Sequence, residues 1–309
     1  MYKVLWFEDE HYTLEDIKED CLVQDLNLIG FGNADEGLEV LLENPKQFDA
    51  ILLDGLFFKS SQNSGDDVSE EAFGSVAKAL LTLKAQGVVL PWFIYSGQKS
   101  FVKDNNTLVN IFKDEAFANG RVFDKNNDKD LIELCEAIKE AANKQPITRV
   151  RQEFPDAFQP FEIGIIERKH EHLLLDILVS YKEGDFRKKN INVQRDLLEA
   201  IWKSLHFTVP CIPESFFDER LNNKPNQEWC TLFFENRPVR NNNVEHRINY
   251  NVSKGIGSAF RGLKESVNEL SHLSDNEIVK LPFTTNTFLI LQLLDWLPKF
   301  VRTNYPNYI

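Results

Sequence analysis

The sequence predicts an α/β fold with a doubly wound, five-stranded parallel sheet, followed by a mostly α-helical domain. In the first half, short continuous apolar runs alternate with amphipathic segments. Strands that are buried on both faces of a parallel sheet become such near-continuous hydrophobic runs. In the second half, apolar residues recur at helical spacing instead. The chain of 309 residues is long enough for two domains with separate cores.

Five apolar runs in the first half are the predicted strands. They cover residues 3–7, 28–31, 50–53, 88–95 and 120–123. Between them, leucines and isoleucines spaced three or four positions apart predict helices at 35–43 and 131–138. The polar loop at 60–70 is longer than a usual connection between a strand and a helix, so we expect it to be mobile or functional.

The second half begins after a polar stretch that contains two prolines. This stretch, residues 144–156, is predicted to be a linker or an extended connection between a domain at 1–143 and a domain at 157–309. Helical spacing then predicts helices at 161–179, 193–205, 258–272 and 286–301. Segments rich in Asn and Pro are predicted loops, with a short hairpin at 230–234.

The charge of the chain is unevenly distributed. The sequence has 35 basic and 48 acidic residues, a net charge of −13. Residues 1–144 contain 14 of the basic and 27 of the acidic residues, so the remainder has no net charge. Non-specific nucleic-acid binding usually needs a basic surface. The cluster at 187–189 is too short to form a basic recognition helix, so DNA binding is disfavoured.

The cysteine spacing and the lengths of the apolar runs indicate the cellular location of the protein. Cys21, Cys135, Cys211 and Cys230 form no CxxC pair, which argues against a zinc ribbon and a dense disulfide framework and favours reduced thiols. The N-terminus lacks the pattern of a secretory signal, and no apolar run approaches the roughly 18 residues of a membrane span. We therefore expect a cytoplasmic protein with no membrane partner.

Polar side chains follow four of the predicted strands. Glu8 and Asp9 follow the first strand, Asp54 the third, Ser96 the fourth and Lys125 the fifth. In open α/β sheets, functional groups collect just beyond the carboxyl ends of the strands. Three carboxylates at one edge would repel one another without a cation, and hard oxygen ligands suit Mg2+. The ion would allow one carboxylate to attack a phosphoryl group, whose oxygens the lysine and the serine hydroxyl would contact.

This ordered set of residues resembles the receiver domain of two-component response regulators, over residues 2–143. The resemblance implies a flavodoxin-like sheet and a Mg2+ cofactor. By position, it implies that Glu8 and Asp9 are the metal-binding pair and that Asp54 is the phosphoacceptor and a metal ligand. It further implies that the backbone carbonyl of Leu56 completes the metal ligands.

The same resemblance implies roles for the last two strands and a partner. Ser96 and Lys125 would contact the phosphoryl group, which a histidine kinase or phosphotransfer protein would supply. The phosphorylated receiver would pass a conformational change to the C-terminal helical module. Two positions depart from the family pattern: Asn126 stands where a proline is usual, which could loosen the lysine, and Val122 stands at the aromatic switch position.

Two other functions are compatible with the acidic cluster. In a phosphohydrolase of the acidic-pocket type, Asp54 would form a transient phospho-enzyme, but Leu56 stands where a general acid is typical. A receiver-like docking protein would take no phosphoryl group at all. Beyond self-phosphorylation and autodephosphorylation of the receiver, we expect no enzymatic activity.

The second half contains two weaker functional patterns. Arg240, Asn241 and His246 resemble the Arg-polar-x4-His arrangement of HEPN-type ribonucleases, which would make this half an RNA-cleaving module. His272 could accept a phosphoryl group in a helical relay. The favoured prediction is an effector or interaction module whose apolar stripes form its core or a homodimer interface.

Overall fold

A computed structural model of the chain describes residues 1–60, 62, 70–97, 120–241 and 243–308. The chain divides into two compact units, Met1–Gln152 and Glu153–Ile309. Among the helices that these residues form, none combines the length and the apolar character that crossing a bilayer requires.

The first unit is a parallel sheet with helices on both faces. In chain order, its described elements are β1 (Tyr2–Phe7), α1 (Glu15–Val23), β2 (Leu26–Phe31), α2 (Ala34–Glu43), β3 (Ala50–Leu53), α3 (Glu70–Ala85), β4 (Trp92–Ser96), β5 (Val122–Asp124) and α4 (Asp128–Asn143). The strands lie in the order β2-β1-β3-β4-β5, and all neighbouring strands are parallel, which confirms the predicted flavodoxin-like fold.

The strands are apolar throughout because each of them contributes to two cores. In β1, Leu5 and Phe7 pack in the layer that contains α2 and α3. Val4 and Trp6 point to the opposite face and pack in the layer that contains α1 and α4. The α2 helix approaches β1 so closely that a Cβ atom on Gly37 would lie 2.3 Å from Cε1 of Phe7. Glycine at this position therefore sets the distance between helix and sheet.

The fourth strand is shorter than the sequence predicts. It begins at Trp92, whereas the apolar run begins at residue 88. Pro91 precedes the strand and has no N–H to donate to a sheet ladder. Val88 and Leu90 are apolar because they pack against the core next to α3, not because they belong to the sheet.

The predicted linker at 144–156 is largely helical instead of extended. It contains α5 (Pro146–Glu153) and the start of α6 (Pro155–Glu162). Each helix begins with a proline, whose fixed φ and missing N–H suit the first position of a helix. The two prolines that suggested an extended connection therefore begin two short helices.

Buried polar contacts attach α5 to the sheet. Arg151 Nη1 and Thr148 Oγ1 donate hydrogen bonds of 2.7 Å and 2.8 Å to Oδ1 of Asp49. The other oxygen of Asp49 accepts a 2.8 Å hydrogen bond from the backbone N–H of Lys3. All of these groups are buried or half-buried, and Asp49 is the residue before β3. This network lies at the amino-terminal ends of β1 and β3, on the side of the sheet opposite the carboxyl ends of the strands.

The second unit is mostly helical, as predicted. After α6, its described elements are α7 (Glu171–Glu183), α8 (Lys189–Phe207), β6 (Phe217–Asp218), β7 (Lys224–Pro225), α9 (Gln227–Phe234), β8 (Val239–Asn241), β9 (Val244–His246), α10 (Lys254–Glu269) and α11 (Lys280–Asn304). The longest of these helices, α11, packs against α6, α7, α8 and α10.

Aromatic stacking and one buried polar pair hold the helical core together. The ring centroid of Phe260 lies 4.7 Å from that of Phe234 and 6.2 Å from that of Trp202. Asn286 on α11 donates a 3.1 Å hydrogen bond to Oε1 of Gln194 on α8, and both side chains are buried. Because buried amides need partners, this pair fixes the register of the two helices.

Two predictions about the second unit are wrong. The segment 230–234 lies within helix α9, where the side chain of Asn226 caps the helix by accepting a 3.1 Å hydrogen bond from the N–H of Trp229. The predicted helix at 161–179 is divided into α6 and α7, because Gly164 adopts a left-handed φ of 77°. A five-residue apolar run fits a helix and a strand equally well by spacing alone.

Candidate functional site

The candidate site lies at the carboxyl-terminal edge of the first sheet. The register pairs Phe7 with Leu53, so the residues that follow β1 and β3 emerge side by side. The N–H of Asp54 donates a 2.9 Å hydrogen bond to the carbonyl of Phe7. One strand further along the sheet, Ser96 at the end of β4 pairs with Asp124 at the end of β5.

Three carboxylates come together at this edge. Glu8, Asp9 and Asp54 each offer one oxygen atom, and these atoms lie within 4.8 Å of one another. Glu8 and Asp54 are buried, and Asp9 is half-buried. Carboxylates this close and this poorly solvated repel one another strongly. Positive charge or protonation of one carboxyl group relieves this repulsion.

Lys125 supplies part of that charge. Its Nζ atom forms ion pairs with Oε2 of Glu8 and, at 3.2 Å, with Oδ1 of Asp54. The amine also lies 6.0 Å from the ring centroid of Tyr95. The hydroxyl of Ser96, which is fully buried, donates a hydrogen bond to the carboxylate of Asp54. The structure thus brings together at one edge the side chains of the five residues predicted there, which are Glu8, Asp9, Asp54, Ser96 and Lys125.

Burial and the neighbouring charges shift the pKa values of the three buried or half-buried groups. Burial, and then the charge of Asp54, raises the pKa of Glu8 to about 8, although Lys125 opposes the shift. Burial also raises the pKa of Asp54 against the opposing effects of Lys125, the N–H of Gly55 and Ser96. Burial acts to lower the pKa of Lys125, but Asp54 and Glu8 raise it above its usual value.

The donor set fits a hard divalent cation such as Mg2+. Carboxylate oxygens are the ligands that Mg2+ prefers, and one or two carboxylates commonly hold it. Oδ1 of Asp54 is buried and, within the described ranges, accepts no hydrogen bond of good geometry, although it lies in the ion pair with Lys125. Glu8, Asp9 and Asp54 are the residues that would hold the ion.

The loop after Asp54 is attached to α2. The N–H of Ala34 donates a 2.8 Å hydrogen bond to the carbonyl of Phe58, so the loop satisfies a donor at the start of the helix that would otherwise be free. The side chain of Leu56 packs against the core on the same face. The role of its carbonyl as a metal ligand stays a prediction. Most of the polar loop at 60–70 lies outside the described residues.

Asn126 was not predicted to support the site. Its side-chain Nδ2 donates hydrogen bonds to the carbonyl of Gly97 at 3.2 Å and to Oδ1 of Asp124 at 2.9 Å. The expectation that this residue loosens Lys125 has no support in these contacts. The signal available in the sequence was the Asp-Lys-Asn order, because Asp and Asn in a turn commonly bond to nearby backbone.

The residues singled out in the second half are not assembled as the sequence patterns require. Arg240 and His246 lie on the antiparallel hairpin of β8 and β9, and the helix required by the resemblance to HEPN-type ribonucleases is not formed. The side chain of Arg240 is 82% exposed and pairs with Glu245 at 3.1 Å. His272 is an exposed residue in a single 3-10 turn after α10.

Comparisons with known proteins give a similarity among solved structures. No family model matches the sequence, and no curated protein matches it. Among solved structures, the chain is similar to a response regulator receiver domain protein from Clostridium thermocellum, with 22% sequence identity and a TM-score of 0.33. The similarity covers 47% of this chain and 96% of that one.

Proposed function

We propose that the first unit is the receiver of a response regulator, in which Asp54 accepts a phosphoryl group in the presence of Mg2+. The observation that carries this proposal is the position of Lys125, which pairs with the buried carboxylates of Glu8 and Asp54, while the hydroxyl of Ser96 also bonds to Asp54. A nucleophilic carboxylate, a cation and a hydroxyl donor within reach of one another are the groups that phosphoryl transfer to an aspartate needs.

The transfer itself is a displacement at phosphorus. An oxygen of the Asp54 carboxylate forms a new bond to phosphorus while the bond between phosphorus and the donor breaks, and the electron pair leaves with the donor. With a histidine kinase or phosphotransfer protein as donor, the leaving group is an imidazole nitrogen. Bound Mg2+ would neutralise charge on the phosphoryl oxygens. Lys125 and Ser96, which already contact the carboxylate, would contact those oxygens as well.

The proposal extends to the signal that follows. Once Asp54 is an acyl phosphate, Lys125 and Ser96 exchange a carboxylate partner for phosphoryl oxygens, which biases the receiver toward a second conformation. The helical unit would act as the effector or interaction module that responds. The four free, buried cysteines support a cytoplasmic location, where thiols stay reduced.

Intact mass spectrometry tests the proposal. The full chain is incubated with acetyl phosphate as a small phosphodonor, with and without Mg2+, and we expect one phosphoryl adduct that depends on the metal. Asp54→Asn is expected to abolish the adduct, whereas Asp35→Asn, a change at an exposed carboxylate on α2, is expected to leave it unchanged. A wild-type chain without an adduct would contradict the proposal and favour a docking role without phosphorylation.

The phosphohydrolase alternative receives no support from the position two residues after Asp54. Leu56 occupies that position, and its side chain packs against the core and offers no proton. The corresponding measurement is the turnover of a generic phosphate ester, which we expect to be the same for the wild-type chain and Asp54→Asn.

A further inference from the structure

The side-chain amide of Asn126 links the ends of two neighbouring strands. Nδ2 donates to the carbonyl of Gly97, just after β4, at 3.2 Å. The same atom donates to Oδ1 of Asp124, at the end of β5, at 2.9 Å, and the backbone N–H of Asn126 donates to that oxygen at 2.9 Å. An amide nitrogen has two protons to donate, so both of its hydrogen bonds are in use and its orientation is fixed.

Lys125 lies in the middle of this set of contacts. Its own backbone N–H donates a 3.2 Å hydrogen bond to the carbonyl of Ser96, the residue before Gly97. On the other side, the N–H of Asn127 donates a 3.1 Å hydrogen bond to the carbonyl of Asp124. The backbone of Lys125 is thus held to the end of the strand that carries the site hydroxyl, both directly and through Asn126.

We infer that Asn126 is a positioning residue: by joining the ends of β4 and β5, its amide holds Lys125 within reach of Glu8 and Asp54. The consequence for phosphoryl transfer rests on the proposed function. A displacement of about 1 Å at a reacting centre can cost about a hundredfold in rate. Hydrogen bonds of an exposed neutral amide add little to stability, so the contribution of Asn126 lies in geometry more than in folding.

The neighbouring asparagine offers a matched control. Asn127 accepts a 3.2 Å hydrogen bond from the N–H of Lys129 and caps the start of α4. Within the described part of the chain, its side-chain amide donates to Asp130 and not to Gly97 or Asp124. Asn127→Ala is therefore expected to lower the thermal unfolding midpoint, as the loss of a helix cap does. Asn126→Ala is expected to lower it less.

The first experiment measures the order of the lysine side chain in the full, unphosphorylated chain. NMR relaxation of 13C at the ε carbon of labelled lysines reports how restricted Lys125 is, and Lys125→Arg assigns its signal. We expect Asn126→Ala to lower the order parameter of Lys125 clearly and Asn127→Ala to leave it unchanged. An unchanged order parameter in Asn126→Ala would overturn the inference, whether or not the protein is ever phosphorylated.

The second experiment tests whether Asn126 acts through Lys125. We expect Asn126→Ala to slow adduct formation from acetyl phosphate about tenfold, and to slow it no further when Lys125→Ala is already present. The same tenfold loss in both backgrounds would overturn the inference. A wild-type chain that forms no adduct would refute the proposed function instead, and the order parameter would then decide the inference alone.

Discussion

The Nζ atom of Lys125 lies 3.2 Å from Oδ1 of Asp54, although the strands that precede the two residues are not neighbours in the sheet. β4 lies between them, and the lysine side chain crosses its end near the ring of Tyr95. The long aliphatic chain of the lysine allows its one amine to reach Asp54 and also Glu8, which follows β1 on the far side of β3. One lysine facing three carboxylates leaves negative charge that a divalent cation would offset.

Mg2+ affinity should depend on Glu8. Glu8→Gln removes one carboxylate of the cluster, and we expect the affinity to fall about tenfold or more, which corresponds to about 1.4 kcal/mol. Glu10→Gln is the matched control, because Glu10 is exposed and lies outside the cluster. Isothermal titration with MgCl2 measures both variants. Equal affinities of Glu8→Gln and the wild-type chain would show that the ion does not bind at this cluster.

Two glycine-to-alanine substitutions should have opposite effects on stability. In Gly37→Ala the new Cβ atom would lie 2.3 Å from the buried ring of Phe7, and we expect a loss of about 1–3 kcal/mol. In Gly74→Ala on α3 the Cβ atom meets no described residue within 4 Å, and we expect a gain of about 0.5–1 kcal/mol from helix propensity. Denaturant unfolding measures both. A neutral Gly37→Ala would mean that α2 does not lie this close to β1.

The contact between α5 and the sheet should depend on Arg151. Arg151→Ala leaves Asp49 buried without its charged partner, and we expect the free energy of unfolding to fall by about 3–5 kcal/mol. Lys144→Ala is the control, because it removes an ion pair with Glu140 in which both side chains are well exposed, and we expect no measurable change. If the two variants were equally stable, the buried network would not attach α5 to the sheet.

The sheet and the position of its polar edge could be predicted because burial on both faces leaves a clear mark on the sequence. Every described strand of the first unit overlaps a predicted one. Glu8, Asp54 and Lys125 follow these strands and Ser96 ends one, all at the expected edge. The start of β4 could not be predicted, because residues that pack against a core are apolar whether or not they join the sheet.

The parts that could not be predicted depend on contacts between distant residues. The bond from Asn126 to Gly97 joins positions 29 apart, and the one from Arg151 to Asp49 joins positions 102 apart, so no local pattern reveals either. In the second unit, helical spacing predicted most of the helices, but the left-handed Gly164 and the helix α9 were missed. The hairpin that carries Arg240 and His246 shows why a short motif needs its structural context.

The most direct test of the central claim is the mass of the intact protein after incubation with acetyl phosphate and Mg2+. We predict a single phosphoryl adduct on the wild-type chain and none on Asp54→Asn, with the adduct retained in Asp35→Asn. An adduct of equal yield on Asp54→Asn, or no adduct on the wild-type chain, would contradict the assignment of Asp54 as the phosphoacceptor.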